Sequence, residues 1–188
     1  AEKNDQSDGP RASKWIADIA KQHGGCLAGK ALDILEERPD FQSTTGIGEI
    51  GCKFKNKAHI AIDILEGRSG FLSRDWMFYI ASGNEEQAPR VLDILSKRPD
   101  TVKEIGELGV KYQSLAGKVL EHLALSPSDE ATKRIGNIVK FHKGHATQAL
   151  EILSGRDDSG EAVRLIERIG TENEAVTPLA LKILADKN

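Results

Sequence analysis

Apolar positions return along this chain at a nearly fixed interval. "ALDIL" at 31–35 is followed by "AIDIL" at 61–65 and "VLDIL" at 91–95, and Leu120, Leu150 and Leu181 fill the same slot further on. From Leu32 onward the spacings are 30, 30, 28, 30 and 31 residues. Three positions later stand Leu35, Leu65, Leu95, Leu123, Leu153 and Leu184; four positions earlier stand Ala28, Ala58, Ala88, Ala116, Ala146 and Thr177. Apolar or small residues at −4, −1, 0, +2 and +3 make a broad stripe on an α-helix, so each interval predicts one such helix, helix B.

A second periodic segment lies upstream of each helix B. The pairs Ile47/Ile50, Met77/Ile80, Ile105/Leu108, Ile135/Ile138 and Ile166/Ile169 are spaced i, i+3 and predict helix A. In the first interval Ile16/Ile19 take this role, displaced by one residue, which points to an insertion around "HGG". Small residues follow these pairs: Ala17, Ala20, Gly48, Gly51, Gly106, Gly109, Gly136 and Gly170. A glycine inside a helix costs roughly 1 kcal/mol against alanine, so its recurrence calls for close approach of neighbouring helices. Asp40, Asp100, Asp129 and Asp158 stand where helix A should start and are read as caps. Pro39, Pro99 and Pro127 end helix B, and Arg38, Arg68, Arg98, Arg156 and Lys187 place a cation at its negative end.

One helical hairpin cannot bury its own apolar stripe, whereas a stack of hairpins forms a continuous core. The expected fold is therefore all-α: an α-solenoid of about six helix-loop-helix repeats of ~30 residues, with about twelve short helices. After a polar N-terminal tail at 1–10, a single domain spans 11–188, with repeats near 11–40, 41–70, 71–100, 101–129, 130–159 and 160–188. The last helix, "TPLALKILADKN", keeps its stripe with no polar cap. That predicts a longer parent chain or a partner over that end.

"IADIAKQHGG" followed by "KALDIL" is similar to the repeats of TAL-effector-like DNA-binding proteins, which carry an Ile-Ala pair, a Gly-Gly loop and an Ala-Leu helix start. The Gly24-Gly25 pair occurs in one repeat here, the loop is longer elsewhere and the unit is shorter. The chain is not assigned to that family.

Composition narrows the function. Over 188 residues the chain is 39% hydrophobic and 29% charged, with a net charge of −3, which disfavours a wholesale polyanion binder. No apolar run approaches the ~18 residues of a membrane span, so no membrane association is expected. Cys26 and Cys52 occupy different repeat positions and are read as free thiols, implying a reducing, cytoplasmic compartment.

The chemical motifs are weak. "GGCLAGKA" at 24–31 fits G-x-x-x-x-G-K, but a helix precedes it where a phosphate loop needs a strand, and Ala31 replaces the hydroxyl. His142 and His145 are two ligands where zinc wants three or four, so no metal or cofactor is expected. Asp33, Asp63, Asp93, Glu121 and Glu151 recur opposite the stripe and read as a solvent face, with Lys30/Asp33, Arg90/Asp93 and Lys118/Glu121 as i, i+3 pairs. No catalytic constellation emerges, and the chain is read as non-enzymatic.

The loops between helices A and B vary while the framework repeats. Lys53, Phe54, Lys55 and Lys57 share one loop, Lys111 and Tyr112 another, and Lys140, Phe141 and Lys143 a third. Glu85, Glu86, Glu172 and Glu174 break the basic run. A mixed-sign edge suits a protein partner. The expected function is thus a protein-interaction scaffold using this loop edge, with Phe54, Tyr112 and Phe141 as anchors. The alternative is nucleic-acid binding by the same lysines and aromatics. Oligomeric state is left open.

Overall fold

A computed structural model describes residues 8–156 and 160–187. Among them the chain forms twelve α-helices and no strand. They run α1 (Asp8–His23), α2 (Gly25–Glu36), α3 (Phe41–Lys53), α4 (Ala58–Glu66), α5 (Phe71–Gly83), α6 (Ala88–Leu95), α7 (Val102–Lys111), α8 (Gln113–Ala124), α9 (Asp129–Phe141), α10 (Ala146–Ser154), α11 (Gly160–Glu172) and α12 (Thr177–Asp186). The all-helical repeat expected from the sequence is what the chain adopts: odd-numbered helices are the predicted A helices and even-numbered ones the B helices. Helix α1 already includes Asp8, Gly9 and Pro10. The chain divides into two compact units, Ala1–Ile94 and Leu95–Asn188.

Within each unit the apolar stripes form the core. Leu32, Leu35, Ile47, Ile50, Ile62, Leu65, Met77 and Ile80 are buried in the first unit, and Ile105, Leu108, Leu120, Leu123, Ile135, Ile138, Leu150 and Leu153 in the second. Leu181, at the same register on α12, is 62% exposed.

The first hairpin needs no insertion. Ala17 and Ala20 are buried at the positions of Ile47 and Ile50, thirty residues on, while Ile19 is more than half exposed. Helix α1 packs closely on α3, and a small side chain fills that gap where an isoleucine would not. Reading the first repeat by its isoleucines chose the wrong face.

The glycines do serve close approach. A Cβ on Gly51 would stand 2.6 Å from Ile80 Cδ1 and 2.7 Å from Ala61 Cβ. On Gly109, in the same register, it would stand 2.7 Å from Val119 Cγ1. Gly48 is covered by the Trp76 ring, and Gly106 by the Arg134 stem.

Hairpins within a unit are also joined by polar staples. Arg68 donates to the Leu35 carbonyl at 2.6 Å, the Arg38 carbonyl at 2.8 Å, Ser43 Oγ at 2.8 Å and Thr44 Oγ1 at 2.7 Å. Arg156 does likewise toward the Leu123 carbonyl (2.7 Å) and Thr132 Oγ1 (2.8 Å). Lys187 reaches the Arg156 carbonyl at 2.8 Å. These cations therefore satisfy the end of the preceding hairpin's helix B. Burial lowers the pKa of both guanidiniums, with Asp40 and then Glu36 opposing it at Arg68.

The capping pattern differs in part from expectation. Asp40 caps α3, accepting the Ser43 N–H at 2.8 Å, but α9 is capped by Ser128, which accepts from Ala131, leaving Asp129 as the first helical residue. Thr101, not Asp100, precedes α7; Asp100 takes a positive φ of 56°. Asp158 lies outside the described residues.

Candidate functional site

The A–B loops vary in sequence yet share one backbone geometry. Gly24, Phe54, Asn84, Tyr112, His142 and Asn173 each stand alone between helix A and the next helical turn, at the repeat spacing. Five of the six are at negative φ with ψ between 72° and 108°, Gly24 being the exception at φ 93°. The N–H of Phe54, Tyr112 and His142 donates back to Ile50, Leu108 and Ile138 at 2.8–2.9 Å. Each linker carbonyl, in all six, accepts from the residue three positions on. The linker thus ends one helix and starts the next with few free backbone groups.

Linker side chains are used to bind the preceding repeat at or beside its loop. Asn84 donates to the Lys55 carbonyl at 3.4 Å, Asn173 to the Lys143 carbonyl at 3.3 Å, and His142 Nε2 to the Val110 carbonyl at 2.8 Å. Lys53 donates to the Lys21 carbonyl at 2.5 Å and lies 5.8 Å from the Phe54 ring centroid. Lys111 lies 5.9 Å from the Tyr112 ring in the same register. Tyr112, however, is only 9% exposed, and Phe54 is half-buried. A buried ring offers no face to a partner, so of the three predicted anchors only Phe141, 64% exposed at the end of α9, stands open. Lys55, Lys140 and Lys143 are exposed, and Lys57 lies over Gly29 of the preceding helix B.

Further exposed apolar side chains lie on the A helices of the first unit, away from the loop edge that the sequence pattern singles out. Trp15 and Ile19 on α1, Phe41 on α3, and Phe71 and Tyr79 on α5 are all more than half exposed. Phe41 and Phe71 start successive A helices at the same register, as Ile19 and Tyr79 share another two repeats apart. Trp76 packs edge-on against Tyr79 with ring centroids 5.8 Å apart, and the Phe78 ring lies 5.6 Å from that of Tyr79. The signal was present in "FLSRDWMFYI": Met77 and Ile80 supply the core stripe and Trp76 covers Gly48, so Phe71 and Tyr79 are left outside it.

The other motifs are accounted for by structure. Gly29 and Lys30 of "GGCLAGKA" lie inside α2, with no glycine-rich turn in which amides could converge on a phosphate. Asp33, Asp63, Asp93, Glu121 and Glu151 are all exposed. Arg90 pairs across hairpins with Asp63 and, at 3.4 Å, with Glu66. Cys26 and Cys52 are free thiols, and burial of the sulfur with the nearby Glu49 carboxylate pushes Cys52 up to about 11. Among the described residues no group of three or more His, Cys, Asp and Glu could hold a metal ion, and no helix is long and apolar enough to cross a membrane.

No protein-family model, curated protein or solved structure matches the chain.

Proposed function

We propose that the chain is a non-enzymatic binding scaffold whose first unit docks a protein partner on its helix-A surface. One observation carries this reading: Trp15, Ile19, Phe41, Phe71 and Tyr79 are exposed on three neighbouring A helices, of which α3 contacts both α1 and α5. Scattered apolar side chains are normal on a surface, but a cluster rich in Trp, Tyr and Phe has the composition of an interaction centre. Aromatic side chains there bury large area at small entropic cost, which is why they dominate measured hot spots.

The loop edge then acts as a rim. Lys55 of the first unit and Glu85 and Glu86 of the following loop are exposed and of opposite sign, an arrangement that selects and steers a partner more than it holds one. The repeat framework supplies rigidity, and no step of catalysis is assigned to it.

Quantitative affinity capture from the native cell tests this. Proteins retained by the unaltered chain should be lost with Phe71→Ala and Tyr79→Ala together, and kept with Lys55→Gln. Retention that is indifferent to the aromatic pair but lost with Lys55→Gln would return the site to the loops.

A further inference from the structure

The second unit presents different chemistry on its A helices. At the register of Trp15 stand Lys103 on α7, Lys133 on α9 and Arg164 on α11, all exposed. Packed helices lie roughly 8–10 Å apart, so these cations form a ladder across three adjoining helices. One turn further on, α9 and α11 flank a shallow, open cleft lined by Gly136, Val139, Lys140, Lys143, Arg168 and Glu172, among others.

Gly136 leaves room on α9 for its neighbours on α11: a Cβ there would stand 2.5 Å from Leu165 Cδ2 and 2.9 Å from Arg168 Nη2. Among the described residues, no carboxylate lies within ion-pair distance of Lys140, Lys143 or Arg168; Lys143 donates to the Glu172 backbone carbonyl at 3.4 Å. Glu172 lines the same cleft. Neighbouring Arg134 is spent differently, paired with Glu130 at 2.7 Å and Glu107 at 3.4 Å. Between Lys140 and Lys143 stands Phe141, its ring exposed.

We infer that this surface binds single-stranded nucleic acid, with phosphates held by Lys140, Lys143 and Arg168, the Lys103–Lys133–Arg164 ladder tracking the backbone, and a base stacked on Phe141. A cationic groove with an adjoining aromatic platform is the combination that holds a single strand without reading its sequence. An acidic peptide would satisfy the cations but leave the Phe141 ring without a planar partner. The site is separate from the aromatic surface of the first unit and does not depend on it.

Fluorescence anisotropy with labelled oligothymidylate and oligouridylate, each long enough to span three helices, tests the assignment across a salt series. Binding should weaken linearly on a log–log salt plot, and Lys140→Gln and Arg168→Gln should each lower the slope by about 0.7. Phe141→Ala should weaken binding about fivefold or more at unchanged slope. Lys30→Gln in the first unit should change nothing. The DNA and RNA arms separate the two backbone sources. No binding of either probe at low salt overturns the proposal, as do slopes unaltered by the cleft variants. Equal competition by polyglutamate also overturns it, pointing to an acidic protein. Lys140 and Phe141 are exposed, so their variants keep the test decisive if Arg168→Gln fails to fold.

Discussion

Arg68 shows how one side chain can serve two hairpins. Its guanidinium meets three carbonyls at and just past the end of α2 and two hydroxyls at the start of α3, partners that no apolar contact could satisfy. Arg68→Ala should therefore destabilise the chain by about 2 kcal/mol, the range for hydrogen bonds to a charged group, seen as a lower urea midpoint. Arg68→Lys should recover only part, because an ammonium cannot reproduce the planar fork. The recurrence of a cation six residues after the anchor was plain in the sequence. Which helix end it serves was not, since that depends on packing between hairpins. Residue identity misled in the same way at Ile19: hydrophobicity suggested the core, but the close α1–α3 crossing admits only Ala17 and Ala20.

At the scale of the helix, glycine has opposite meanings on the two kinds of element. Gly51 on α3 faces Ile80 and Ala61 with no room for a methyl group, whereas a Cβ on Gly29 of α2 meets nothing nearer than Lys57 Nζ at 3.6 Å. Gly51→Ala should cost about 1–3 kcal/mol through overpacking, partly offset by helix propensity. Gly29→Ala should stabilise by up to about 1 kcal/mol. Thermal unfolding of the two variants side by side checks both signs. The position of the A and B helices was legible from periodicity because burial of one stripe repeats at every hairpin. The loops looked variable, yet their shared linker geometry is invisible to side-chain pattern: Phe54, Asn84, Tyr112 and His142 have nothing in common except their backbone conformation and their place beside the preceding loop.

On the scale of the whole molecule, two compact units built on one repeat carry different helix-A surfaces. The first is aromatic at Trp15, Phe41, Phe71 and Tyr79; the second is cationic at Lys103, Lys133, Arg164 and Arg168. A repeat framework permits this because core positions fix the fold while outward positions are free to diversify. Sequence pattern locates function at the loop edge by the same logic, but there Tyr112 belongs to the core and Asn84, His142 and Asn173 to the joints between loops. The central claim is that the first unit's aromatic surface meets a protein. Its most direct test is site-specific photo-crosslinking in the native cell, with the crosslinker at Tyr79 or at Asp33 on the exposed side of α2. A discrete adduct from position 79 and none from position 33 is the predicted result. Adducts from position 33 alone, or from neither, would contradict it.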